Sequence, residues 1–145
     1  MPRSSHEVKK LRKTLTLFHQ AQETGDEALF LKVWHPEARR FSFGSNNELY
    51  VFSTEDILKN QFKSIQQAKH DNPEFSLTFF INRIKHIDIQ PDNLIASALV
   101  EWQMLSMGQC VGIHYTYYHF IKNKDNWLIV NVTDRGKDIQ NRTTT

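Results

Sequence analysis

Four long extended runs fill the second half of the chain, and only short polar turns part them. Residues 75–89 are turned by Pro91-Asp92-Asn93, residues 94–107 by Gly108-Gln109, and residues 110–121 by Asn123-Lys124-Asp125-Asn126; residues 127–133 close the series. Turns this short join strands that lie side by side and run in opposite directions, which predicts an antiparallel meander. The first half reads as helix. Val8, Leu11, Leu15, Phe18 and Ala21 recur at three- and four-residue steps, one buried face of a long helix that a Ser4–Glu7 capping box begins. Gly25 suits a positive-φ stop, and Asp26 suits the cap of a short second helix to about Trp34, with Ala28, Leu29, Leu31 and Val33 inside.

Pro36 stops that helix, and a hairpin follows at residues 40–43 and 49–52 around Gly44-Ser45-Asn46-Asn47. Ser53 and Asp56 then open a third helix that carries Ile57, Leu58, Phe62 and Ile65 to about Lys69, and Asn72-Pro73 ends it. Helices first and strands second make an α+β chain. Its 145 residues suit one domain, with a core at about 7–134 and a polar tail at 135–145.

Composition removes several classes of function. A net charge of +2 is too small to imply nucleic acid, and Arg3, Lys9, Lys10, Arg12 and Lys13 read as the solvated face of the first helix. One cysteine forbids an internal disulfide framework and a Cys-rich zinc site. His86 and Asp88 offer two ligands on one strand face where zinc needs three or four, so no metal and no cofactor is expected. The N-terminus runs into charges rather than an apolar signal core, and no stretch approaches the ~20 apolar residues of a membrane span. A cytoplasmic protein without membrane contact is the expectation.

Side-chain alternation divides the sheet residues into two sets. With Gly108-Gln109 as a two-residue loop, Trp102 faces Tyr115, Val100 faces Tyr117 and Ala98 faces His119 on one side. Glu101 faces Thr116, Gln103 faces His114 and Leu99 faces Tyr118 on the other. With Lys124-Asp125 as a loop, Tyr118 lies beside Asn131. Trp102, Tyr115, Tyr117 and His119 then form an aromatic face that either packs on a second subunit or stands as an exposed cross-strand ladder; the homodimer is the expectation carried forward.

Thr24-Gly25-Asp26, Ala28-Leu29, Trp34-His35-Pro36-Glu37-Ala38, the Ser53-Thr54-Glu55-Asp56 helix start, and Tyr117 to Lys122 followed by Trp127 to Val130 occur in an order and spacing that resemble the nuclear-transport-factor-2-like superfamily, over residues 7–134. That group includes SnoaL-like polyketide cyclases and ketosteroid isomerases, and the chain is most similar to its "putative lumazine-binding" branch. The resemblance implies a cone: a curved antiparallel sheet wrapped around one long and two shorter helices, with a mainly apolar pocket at the mouth and dimers through the outer face of the sheet. It puts Glu101, Gln103, His114, Thr116, Tyr118 and Asn131 inside.

The three groups of a ketosteroid isomerase are absent. Leu17 or Phe18 stands where that family has a tyrosine donor, Arg40-Phe41-Ser42-Phe43 replaces the segment with the base, and the second donor falls near Thr116. Glu101 with His114 is the remaining pair suited to acid–base work, Glu101 being otherwise a locally satisfied polar residue. Two functions follow. One is a binding domain for a small apolar or aromatic molecule, lined by Phe18, Trp34, Phe43, Thr116 and Tyr118 and oriented by Gln103, His114 and Asn131. The other is a SnoaL-like acid–base enzyme (isomerase, cyclase or dehydratase) acting on a small cyclic or polyketide-like substrate. A protein–protein adaptor is a third possibility.

Overall fold

A computed structural model describes residues 2–44 and 46–138, with side chains described for 6–44 and 46–136. Helix α1 (Pro2–Thr24) buries Leu11, Leu15, Phe18 and Ala21; the Ser4–Glu7 cap lies outside the described side chains. Gly25 ends α1 at φ +72°, a backbone state that favours glycine. Asp26 then caps α2 (Glu27–Val33) by accepting the Leu29 N–H at 3.1 Å. Of the apolar residues expected inside α2, only Val33 is buried fully, and Leu31 is 48% exposed. The missed residue is Phe30. It packs on Trp34 at 5.1 Å and on Phe62 at 4.7 Å, so the three-residue step from Phe30 to Val33 sets which face turns inward.

Ser53 and Asp56 form the expected reciprocal cap for α3 (Thr54–Asp56). The chain continues through a π-helical segment (Ile57–Phe62) into α4 (Lys63–Asp71). The wider π turn re-aims the side chains that follow it.

One sheet holds β1 (Trp34–Phe43), β2 (Leu49–Ser53), β3 (Leu77–Ile89), β4 (Ile95–Ser106), β5 (Gln109–Asn123) and β6 (Asn126–Asp138), in the order β2-β1-β6-β5-β4-β3. All pairs are antiparallel except β1 with β6, which is parallel. β6 runs past the expected boundary: residues 135–138 extend the strand rather than a tail. Residues 139–145 lie outside those described.

Bulges decide which side chains face inward. The β4–β5 loop is Met107-Gly108, both at positive φ, one residue earlier than expected. That difference alone moves cross-strand partners by two and leaves the faces unchanged. Val111 then enters as an extra residue, because Met104 pairs with Gly112 but Leu105 pairs with Cys110. Trp102 therefore pairs with His114, Val100 with Thr116 and Ala98 with Tyr118, all on the concave side. Glu101, Gln103 and Leu99 face outward with Tyr115 and Tyr117. Val130 is a second extra residue: the Lys124-Asp125 loop is as expected, yet Tyr118 pairs with Val132, and Asn131 pairs with outward-facing His119. Asn82 and Lys85 are extra in β3. Each bulge sharpens the bend and twist of its strand, and together they roll the sheet around α1.

Several polar side chains pin α1 into this trough, Glu23 among them through the Phe79 N–H at 2.7 Å. Glu7 accepts from Trp127 Nε1 at 3.1 Å and pairs with Lys122. Thr14 donates to the Trp127 carbonyl at 3.3 Å. His19, 3% exposed, bonds the Phe79 carbonyl through Nδ1 at 3.0 Å and Tyr118 Oη through Nε2 at 2.9 Å. A carbonyl only accepts, so Nδ1 carries the proton and Nε2 accepts from the Tyr118 hydroxyl. Burial pushes His19 down to about 4 and pushes the Tyr118 hydroxyl up. No helix of the described residues is long and apolar enough to cross a membrane.

A histidine whose folded pKa lies below its unfolded value gives stability above the unfolded pKa that is lost as pH falls. Here the window runs from 6.5 down to about 4. His19 alone is expected to remove about 3 kcal/mol across it. Urea unfolding of the wild type and of His19→Gln at pH 7 and pH 4.5 measures this; an equal loss of stability in both proteins refutes it.

Candidate functional site

The concave face, the π-helical segment and the start of α4 enclose a cavity of about 460 Å³. Its lining is largely apolar, with Phe18, Leu77, Phe79, Trp102 and Met104. Its polar groups come from separate elements: Arg40 from β1, Gln61 from the π-helical segment, His114 and Thr116 from β5, and Asp134 from β6.

His114, Thr116 and Asp134 form one network. Asp134 pairs across the β5–β6 ladder with Thr116. Thr116 donates to Asp134 Oδ1 at 2.6 Å and accepts from Trp102 Nε1 at 2.9 Å. His114 Nδ1 lies 3.1 Å from Asp134 Oδ2. Burial raises the Asp134 carboxyl, but the hydrogen bonds from His114 and Thr116 and the nearby positive charges outweigh it, so Asp134 stays below the ordinary carboxylate range. The imidazole is held on both faces. Trp102 stacks on it with ring centroids 4.1 Å apart and planes 10° apart. On the other side Gly136 gives it room: a Cβ there would sit 2.5 Å from His114 Cε1. His114 Nε2 has no hydrogen-bond partner among the described residues, while Nδ1 is committed to the carboxylate. A neutral imidazole fixed this way presents an accepting nitrogen, and the carboxylate stabilises the charge that a captured proton creates.

The sequence-derived site residues divide. Phe18, His114, Thr116 and Tyr118 line the cavity. Trp34 does not: it is fully buried beside Phe18 and Phe30, and its Nε1 donates to Thr54 at 2.8 Å. Phe43 lies at the far end of β1, 38% exposed. Gln103 and Asn131 point outward because of the bulges at Val111 and Val130. Glu101 is turned outward for the same reason, away from His114, and meets Arg83 at 3.5 Å and Asn82 at 3.3 Å. Trp102, expected on the outer face, is 7% exposed and forms part of the cavity wall. Tyr115, Tyr117 and His119 are exposed on the outer face. The acid beside His114 is Asp134, which sequence reasoning left unassigned at the edge of the presumed tail. A signal existed: continuing the Lys124-Asp125 hairpin past Thr133 carries β6 alongside His114 and Thr116. Arg40, Gln61 and Gln22 had no signal, since their convergence depends on the π turn and on β1 pairing with β6.

A cone of curved sheet around a long helix, open on a cavity at its mouth, is the architecture of NTF2-like proteins with a cystatin-like fold. Crystal structures bear out the likeness. An NTF2-like protein of unknown function from Silicibacter pomeroyi superposes with a TM-score of 0.68 at 15% identity, covering 92% of this chain and 98% of that one. An NTF2-like protein with a cystatin-like fold from Novosphingobium aromaticivorans gives 0.69 at 11% identity, covering 92% and 83%. A "putative dehydratase" of the NTF2-like family from Streptomyces avermitilis gives 0.65 at 15% identity, covering 93% and 97%. At these identities the likeness establishes the fold. No curated protein matches the sequence. The family described as "Putative lumazine-binding" matches residues 6–133, and the chain belongs to it.

Gly136→Ala tests the imidazole seat. The added methyl is expected to push His114 off Trp102 and away from Asp134, at a stability cost of about 1–3 kcal/mol. The His114 ring resonances in a proton–nitrogen NMR spectrum report the displacement; unchanged resonances with unchanged stability contradict the packing described.

Proposed function

We propose that the protein is a small-molecule-binding domain whose ligand, small, flat and largely apolar, occupies the cavity at the mouth of the cone. The observation that carries this reading is the cavity's build. It is of ligand size, much of its lining is aromatic and aliphatic, and a few polar groups among that lining are left to orient what enters. The family's description agrees with it. We further propose that two copies associate through the outer face around Tyr115, Tyr117 and His119. Native mass spectrometry of freshly purified protein tests both statements. The expected species is a dimer carrying one ligand of a few hundred daltons per subunit, with the ligand lost from Ser64→Trp, which fills the cavity. A monomer refutes the association. Ligand retained by Ser64→Trp places the binding elsewhere.

A second reading, an acid–base enzyme of the isomerase, cyclase or dehydratase type, is favoured by one feature: His114 Nε2 is unpartnered while Nδ1 is fixed by Asp134. In this reading Nε2 takes a proton from an acidic C–H of a cyclic substrate. The imidazolium, balanced by Asp134, then returns that proton to a second carbon or to a departing hydroxyl, which leaves as water. The pair supplies a role that Glu101 cannot fill from the outer face. Asp134→Asn and His114→Gln are each expected to lower turnover of the co-purified compound by about a hundredfold or more. Full turnover in either variant removes the enzyme reading and leaves the binding domain standing.

A further inference from the structure

Arg40 stands in the cavity wall without a direct ion pair among the described residues. Its Cα pairs with Val132 on the concave side, and the guanidinium packs over the Phe52 ring at 5.1 Å. Two of its five N–H donors are used, Nε to Ser42 Oγ at 3.2 Å and Nη1 to Gln61 Oε1 at 2.8 Å. Both acceptors are neutral. Among the described residues no carboxylate oxygen lies within 4.0 Å of this guanidinium. Asp134, the one carboxylate in the cavity wall, is turned to Thr116 and His114 instead. Burial lowers the Arg40 pKa and the negative charge of Asp134 acts against that shift, so the half-buried guanidinium feels this carboxylate without bonding to it.

A relay of amides holds it there. Gln61 Nε2 donates to Gln22 Oε1 at 2.7 Å, and Gln22 Nε2 reaches the Phe18 carbonyl at 3.5 Å. The relay fixes the direction of each amide, and Nη2 has no hydrogen-bond partner among the described residues. Burying a charge is expensive unless something pairs with it. A neutral relay that fixes a cation, while the nearby carboxylate is bonded elsewhere, leaves its fork open to an anion from outside.

We propose that Arg40 is the ligand's anion-recognition group, and that the natural ligand is a flat apolar ring bearing one carboxylate. The planar fork of a guanidinium matches two carboxylate oxygens. Among the described residues, Arg40 is the only arginine or lysine in the wall of this cavity. A phosphate, with its larger charge, lacks the further cations it needs. The ring lies against Phe18, Phe79, Trp102 and Met104, and the carboxylate meets Nη2. This inference rests on the cavity being the small-molecule site, and the test separates the two.

The probes are 2-naphthoate and its neutral isostere 2-naphthamide, titrated calorimetrically at pH 7. Wild-type protein is expected to bind the carboxylate at least about tenfold more tightly than the amide. In Arg40→Gln the ratio is expected to fall to about one, the carboxylate losing more affinity than the amide. Arg40→Lys, which keeps the stem and the charge but not the fork, is expected to retain only part of the preference. Equal binding of both probes by the wild type overturns the assignment of Arg40 and leaves the cavity as the site. So does a preference that survives in Arg40→Gln or stays complete in Arg40→Lys. Binding of neither probe overturns the cavity reading and the proposal with it.

Discussion

Helix α1 is held in its trough by hydrogen bonds with direction, and the rest of the molecule depends on that register. The apolar stripe Leu11, Leu15, Phe18, Ala21 is non-directional: moved by one helical turn, about 5.4 Å, it offers the sheet nearly the same surface. Glu7 at Trp127, Thr14 at the Trp127 carbonyl and His19 between Phe79 and Tyr118 allow one register only. His19 matters most, because it joins α1 to β3 and β5 together. Phe18 precedes it in the helix, and Phe79 and Tyr118 are its partners; all three line the cavity. The floor of the site is thus set by the bond that seats the helix. The cost of burying these groups is met by pairing every one, as a low-dielectric interior requires.

Two clusters of polar groups line the cavity. At one, Asp134 collects Thr116 and His114, and Trp102 and Gly136 clamp the imidazole between them. At the other, Arg40 leans on Phe52 and on an amide relay. Asp134 is committed to Thr116 and His114 across the ladder, and Arg40 to Ser42, Gln61 and the Phe52 ring, so the two charges interact without forming a direct pair. Such preorganisation is bought with folding stability and is available to a ligand at no further cost of rearrangement.

The helices were legible because their signals are local. Gly25-Asp26 and Ser53-Asp56 act within a turn, and they perform in the structure as their chemistry demands. The four long strands and their meander order were legible from turn spacing. The faces were not. Alternation passes along a strand without error until one extra residue enters, and then every later side chain changes sides. Val111 and Val130 are such residues, and a valine in a strand looks the same whether it is paired or bulged. Hence His114, Thr116 and Tyr118 were assigned to the inside while their partners Glu101, Gln103 and Asn131 were misassigned with them, and Trp102 was sent to the wrong face.

By itself the sequence determined an α+β chain, the helix caps, the buried stripe of α1 and the meander of the last four strands, because each of these is set by residues within a few positions of one another. Only the tertiary structure decided which acid stands beside His114, that Arg40 forms no direct ion pair among the described residues, and which aromatic residues line a cavity rather than a surface. Those outcomes depend on bulges, on a π turn and on β1 lying parallel to β6. Each of these is a compromise between strand pairing and packing around α1, and no short stretch of sequence contains both sides of it.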